Sequence, residues 1–254
     1  MRTSLAIAVC SICLTIPTFS QGTFQHMKIS EDIEVIQIST NSYVHVSYTQ
    51  LPGFGRIGSN GLIYAVNGEA LLFDTPMNDS LTMQLVNWIT DSLKVRIVGF
   101  VPNHWHDDCM GGLNYLLSIG IPSYANEKTI AIAKSKDLPI PQHGFVDSLT
   151  LYLGDQMVVC KYYGPAHTLD NIVTWIPSER ILFGGCMVKE MKSETLGNIA
   201  DADLAEWPNT IARVIANYSS ANIVIPGHGA LGNQELLKHT LDLLTKTKQE
   251  LPSE

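Results

Sequence analysis

The sequence predicts an α+β fold in which two β-sheets pack face to face, with helices on the outer faces. Strand patterns come in two groups, each followed by helical patterns, and that order buries every apolar face only if two sheets pack together. The chain has 254 residues with 45% hydrophobic content, enough for a sizeable core. No linker, low-complexity stretch or short repeat divides it.

Residues 33–38, 43–48, 61–66 and 70–73 read as an initial antiparallel group. Residues 79–93 read as a helix, since Leu81, Leu85, Val86, Ile89 and Leu93 recur at helical spacing behind Asn78 or Asp79 as cap. The run Val95-Arg96-Ile97-Val98-Gly99-Phe100-Val101 fits a buried strand, which Pro102 and Asn103 break. Helices are expected at 111–118 and 127–134. A second strand group extends from Leu149 through Phe183, then a helix over 204–217, a strand over 222–225 and a closing helix over 234–248. Between two early strands, Leu51-Pro52-Gly53-Phe54-Gly55-Arg56-Ile57 reads either as a flap over a hydrophobic ligand or as a plain hairpin covering the core edge.

The first twenty residues read as a cleaved signal peptide. Arg2 supplies the positive start, 5–16 an uncharged apolar core, and Thr18-Phe19-Ser20 the small residues of a cleavage site before Gln21. Export to the periplasm is expected, with residues 21–254 as the mature domain. The apolar core is too short for a spanning helix, and Val9 and Ile12 are bulky where lipid attachment beside Cys10 or Cys13 needs a small residue, so no membrane anchor is expected. A net charge of −8, with no basic cluster interleaved with aromatics, argues against a nucleic-acid partner. A monomer is expected.

His104-Trp105-His106-Asp107-Asp108 is the strongest chemical signal. It sets two imidazoles and a carboxylate at alternate positions on a strand's exit, a rigid place for zinc ligands. Three further residues also follow strand patterns that give way to a turn: His167, Cys186 and His228. His104, His106 and His167 would form an all-imidazole site, and Asp108, Cys186 and His228 a mixed oxygen, sulfur and nitrogen site. Two adjacent zinc ions follow. Cys160 reads as a buried small hydrophobe, and Cys109, directly after a ligand, stays outside the set. His26, His45, His143 and His239 lack partners at ligand spacing and read as surface or satisfied core residues.

With these residues in place, the chain resembles the class B metallo-β-lactamases of subclass 1, from about Lys28 to the closing helix. The resemblance rests on His104-x-His106-x-Asp108, Gly111-Gly112, His167-Thr168-x-Asp170-Asn171, Gly184-Gly185-Cys186-x-x-Lys189, Gly197-Asn198 and Pro226-Gly227-His228-Gly229. Other hydrolases of the superfamily usually carry histidine at the position of Cys109 and aspartate at that of Cys186. Pro165 and Ala166 precede His167 where the family commonly has glycine.

The resemblance implies a four-layer αβ/βα sandwich and zinc-dependent hydrolysis of the β-lactam amide in penicillins, cephalosporins and carbapenems by a metal-bound hydroxide, conferring antibiotic resistance. It assigns the carboxylate that β-lactams carry to Lys189, and the carbonyl oxygen to the side chain of Asn198. Asp108 is expected to orient the hydroxide as well as to bind metal. Trp105 walls the site or fills the core beneath it, and Asp74 and Asp170 are expected to accept the outward N–H of ligating histidines. Two other readings stand beside this one. A related hydrolase would act on a thioester, lactone or phosphodiester, against which Cys186 and Lys189 argue, and a zinc-scavenging protein would have a saturated metal shell.

Overall fold

A computed structural model describes residues 24–53 and 55–250; the expected signal peptide and Phe54 lie outside them. The first sheet runs in chain order: β1 (Gln25–Lys28), β2 (Ile33–Gln37), β3 (Ser42–Leu51), β4 (Gly55–Val66), β5 (Glu69–Phe73) and, after helix α1 (Asp79–Asp91), β6 (Arg96–Val101). All its pairs are antiparallel except β5 with β6, which the α1 crossover makes parallel. Then come α2 (Asp107–Met110), α3 (Leu113–Ser118), β7 (Tyr124–Asn126), α4 (Glu127–Ser135) and β8 (His143–Phe145), with β7 and β8 paired as a small parallel ribbon. The second sheet has the order β13 (Ile223–Pro226), β12 (Ile181–Gly185), β11 (Ile172–Ile176), β10 (Gln156–Tyr162), β9 (Ser148–Leu153). Helices α5 (Trp207–Asn217) and α6 (Glu235–Glu250) complete the chain's elements.

Three apolar clusters stack these elements into four layers. Leu62, Tyr64, Phe73, Val158, Ile172, Phe183 and Ile225 fill the space between the sheets. Leu85, Ile89, Leu113 and Leu116 seal α1 and α3 onto the outer face of the first sheet through Ile63, Leu72 and Phe100. Ile211, Val214, Leu237 and Leu244 do the same for α5 and α6 on the second, through Leu182 and Val224. Each strand's alternation serves two cores at once, which is why the strand patterns are so apolar.

The expected elements are present, and the structure decides several details that the sequence left open or placed differently. Asn78 is the cap of α1, its Oδ1 accepting from Leu81 N at 2.9 Å, while Asp79 instead accepts from Tyr115 N at 2.9 Å. The helix expected from 111 begins at Leu113, and a separate turn, α2, carries Asp107 to Met110, so Asp108 projects from a helical turn and not from the strand's frayed end. Gly112 sits where the two helices meet α1: a Cβ there would lie 1.9 Å from Thr82 Oγ1. Finally, β3 and β4 stay paired to Leu51 and Gly55, so the segment of 51–57 is a hairpin extending the sheet, with Gly53 in the left-handed region (φ +79°) at its tip. Short β1, β7 and β8 carry too little periodicity to be read from sequence.

Candidate metal centre

The six expected donors come together along one edge of the sandwich. His104 and His106 follow β6, Asp108 sits on α2, His167 lies on the loop after β10, Cys186 directly follows β12 and His228 follows β13. Two backbone features bring these ends into register. Gly185 has φ +59° and passes so close to Asn103 that a Cβ would lie 2.3 Å from its Cγ, so β12 can run beside the histidine loop only with glycine there. Asp74, at the end of β5, is held at φ +60°, and its buried carboxylate accepts the backbone N–H of Asn103, fixing where that loop starts.

The donor atoms form two groups. In the first, His106 Nδ1 lies 3.0 Å from His104 Nε2 and 3.3 Å from His167 Nε2. In the second, Cys186 Sγ lies 3.3 Å from Asp108 Oδ2 and 3.4 Å from His228 Nε2, and the latter two are 3.2 Å apart. A tetrahedral zinc with nitrogen at 2.0–2.1 Å separates its ligands by about 3.3 Å, slightly more with sulfur. These separations match that edge, so the imidazole trio and the mixed trio each suit one zinc. Asp108 links them, since its Oδ1 is 3.7 Å from His104 Nε2.

Electrostatics suit the same cargo. Burial lowers the His104 imidazolium to about 3, and burial with the charges of His104 and Lys189 lowers that of His167, so both rings are neutral ligands at pH 7. Burial would raise the Asp108 carboxyl, but the hydrogen bond from His228 and the charges of His104 and His228 hold it below the usual carboxylate range. The Cys109 thiol's hydrogen bond brings Cys186 down to about 6 against its burial. Although burial opposes it, the charge of Cys186 and the Asp108 hydrogen bond raise His228 well above the ordinary histidine value. Two anionic donors therefore hold a proton on His228 where a metal ion would supply the positive charge.

The outward ring nitrogens correct the sequence expectation. His106 Nε2 meets Asp201 Oδ2 at 2.9 Å, His228 Nδ1 meets the Gly58 carbonyl at 2.9 Å, and His104 Nδ1 meets Cys109 Sγ at 3.1 Å. Asp74 serves a backbone N–H instead, and Asp170 accepts from Thr129 Oγ1 at 2.7 Å, while His167 Nδ1 has no hydrogen-bond partner. Asp201 escaped the sequence reading because it lies 95 residues from His106 in an irregular loop, where no periodicity marks an acidic residue as inward. The four other histidines behave as read. His45 is buried with Nε2 on the Asp74 carbonyl, His26 pairs with Glu34, His143 stacks on Tyr124, and His239 meets the Ser193 carbonyl.

At the donors lies a cleft of about 640 Å³, lined by Leu51, Ile57 and Met77 and by 193–198. Trp105 both walls it and packs into the core beneath α1, with its ring 4.3 Å from that of His106 and Lys136 Nζ over its face. Lys189 lines the cleft with Nζ 5.4 Å from the Trp207 ring centre. Asn198 lines it too, its Oδ1 accepting from Ala200 N at 3.1 Å.

A metallo-β-lactamase of Bacteroides fragilis is 50% identical over 220 residues, covering 87% of this chain and 88% of that one. The chain belongs to the class B metallo-β-lactamases. A metallo-β-lactamase of Bacillus cereus is 34% identical over 254 residues, covering 96% of this chain and 99% of its own. Among solved structures, a metallo-β-lactamase from Pontibacter korlensis superposes with a TM-score of 0.81 at 38% identity, covering 84% of this chain and 99% of that one. No family model matches the sequence. As a metallo-β-lactamase this chain is a hydrolase that uses metal, and among the described residues the groups that could hold an ion are drawn from His104, His106, Asp108, His167, Cys186 and His228.

Proposed function

We propose that this metallo-β-lactamase hydrolyses the β-lactam amide of penicillins, cephalosporins and carbapenems with two zinc ions per chain, and so confers resistance to them. The observation that carries this reading is the pair of zinc-sized donor groups, joined by Asp108, in a cleft lined by Leu51, Ile57, Met77 and Trp105 as well as by Lys189 and the acidic Glu190 and Glu194. His104, His106 and His167 would hold one ion, and Asp108, Cys186 and His228 the other, the donor set of subclass 1. Bound zinc polarises a carbonyl and brings a water's pKa to about 7, supplying a nucleophile at neutral pH.

The chain's own side chains do the rest. Leu51, Ile57, Met77 and Trp105 take the apolar body of the substrate, excluding water from the ring. Lys189 pairs with the substrate carboxylate, and the Asn198 amide donates to the carbonyl oxygen as it gains charge. Asp108 orients the attacking water. The amide C–N bond breaks, the carbonyl carbon keeps the water oxygen, and the ring nitrogen takes up a proton. Residues 1–20 would be a cleaved signal peptide and 21–254 the periplasmic enzyme. Among the described residues no helix is long and apolar enough to cross a membrane. In this reading the enzyme acts as a monomer.

Purified mature protein should open penicillin and carbapenem rings, lose that activity with a zinc chelator and regain it with zinc. Rings opened equally well after exhaustive metal removal would sink the reading. A thioester assayed in parallel separates it from the related hydrolases.

Lys189→Ala should raise KM about 10- to 100-fold, the worth of one charge-assisted hydrogen bond, with a smaller fall in kcat, because a carboxylate clamp holds the ground state as well as the transition state. An unchanged KM beside a collapsed kcat would contradict the role. Asp201→Ala removes the acceptor on His106 Nε2 and should weaken zinc at the imidazole triangle about tenfold while sparing KM at saturating zinc. Competition with a chromophoric chelator measures this, and parental affinity would show that Asp201 merely rests on the ring.

A further inference from the structure

Cys109 is a buried thiol to which neither the donor set nor the cleft gives a task. It is 1% exposed on α2, and its backbone is pinned from both sides: its N–H donates to the His106 carbonyl at 3.0 Å, and its carbonyl accepts from Thr75 N at 2.9 Å. The sulfur is therefore fixed independently of any ion. Its Sγ lies 3.1 Å from His104 Nδ1, on the side of that ring opposite the imidazole triangle. The Asp74 carboxyl and Cys186, a donor of the other triangle, are its charged neighbours.

We propose that Cys109 is a positioning residue that fixes His104 for metal binding, acting as the acceptor of its Nδ1–H. For His104 to offer Nε2 as a lone pair, its one ring proton must sit on Nδ1, and in this buried position that proton needs an acceptor. Ordinarily an oxygen fills that place. Here a thiol does, and thiol sulfur is a weak acceptor. Donating its own proton to the Asp74 carboxylate or to the Cys186 sulfur makes it a stronger one, since linked hydrogen bonds polarise one another. Asp74 thereby reaches His104 at one remove, besides anchoring the loop through Asn103 N.

Because the two triangles are metal sites in the reading above, the test follows metal affinity on metal-free protein titrated with cobalt. Visible d–d absorbance reports total cobalt in the two triangles, and the thiolate-to-cobalt charge-transfer band reports Cys186. Cys109→Ala should weaken the imidazole triangle about tenfold. Cys109→Ser should recover most of that affinity, because a hydroxyl can accept from Nδ1–H and pass its own proton on. Thermal unfolding of the metal-free variants separates lost affinity from lost fold, and if the alanine variant does not fold the serine variant decides alone. Parental affinity in Cys109→Ala, or a serine variant as weak as the alanine one, would overturn the proposal. A parent protein that takes up no cobalt would instead overturn the metal reading itself.

Discussion

Cys186→Ser is expected to fold, to retain about one zinc per chain where the parent holds about two, and to hydrolyse β-lactams roughly 10²- to 10³-fold more slowly, the scale of losing one electrostatic stabiliser of the transition state. A thiolate is a soft, anionic zinc ligand and a serine hydroxyl is a poor, neutral one. The substitution removes one corner of a triangle whose edges are 3.2 to 3.4 Å and leaves the three imidazoles untouched. His228 also loses the negative neighbour that holds its proton, so the remaining pair of donors has less charge to offer an ion. Metal analysis by mass spectrometry beside kinetics checks this. Cys109→Ser is the matched control and should keep both ions with much of the activity. If Cys109→Ser lost the second zinc while Cys186→Ser kept it, the assignment of donors would be wrong.

Trp207→Ala should be the most destabilising single truncation near the site, costing about 3–5 kcal/mol in urea unfolding, the range for emptying a buried aromatic site. Trp207 is fully buried at the start of α5, and its indole N–H donates to the Met187 carbonyl at 3.0 Å. Its ring meets that of His167 edge-on at 6.0 Å and lies beneath Lys189 Nζ. One side chain thus supports the residue after Cys186, an imidazole donor and the substrate clamp. Zinc affinity and KM should worsen together with stability. Trp207→Phe keeps most of the volume and should cost much less, with the loss concentrated in the unpaired Met187 carbonyl. A loss below about 1 kcal/mol for the alanine variant would mean that the indole does not carry this packing.

Much of this architecture was legible because it rests on local chemistry. The helix over 79–91 follows from leucines at helical spacing and a capping asparagine, and the long strands follow from β-branched runs closed by Gly, Pro or Asn. His104, His106 and Asp108 are visible because ligands close in sequence leave a spacing pattern, and His167, Cys186 and His228 because each follows a strand's end. What resisted were elements too short to show a period, such as β1, β7 and α2, and the true length of the hairpin through Leu51 and Gly55, where glycines mask continued pairing.

The sequence by itself determined the donor types, their order and the two-sheet pattern, since hydrophobic period and ligand chemistry are properties of neighbouring residues. Only the tertiary structure decided which atom faces which. That His106 leans on Asp201 and His104 on Cys109, while Asp74 holds a backbone N–H at a left-handed turn, depends on the packing of β5, β6, β12 and the loop before α5. Such contacts join residues up to 95 positions apart by one hydrogen bond each. A single bond between distant residues imposes no periodicity on the chain, so the sequence carries no local sign of it.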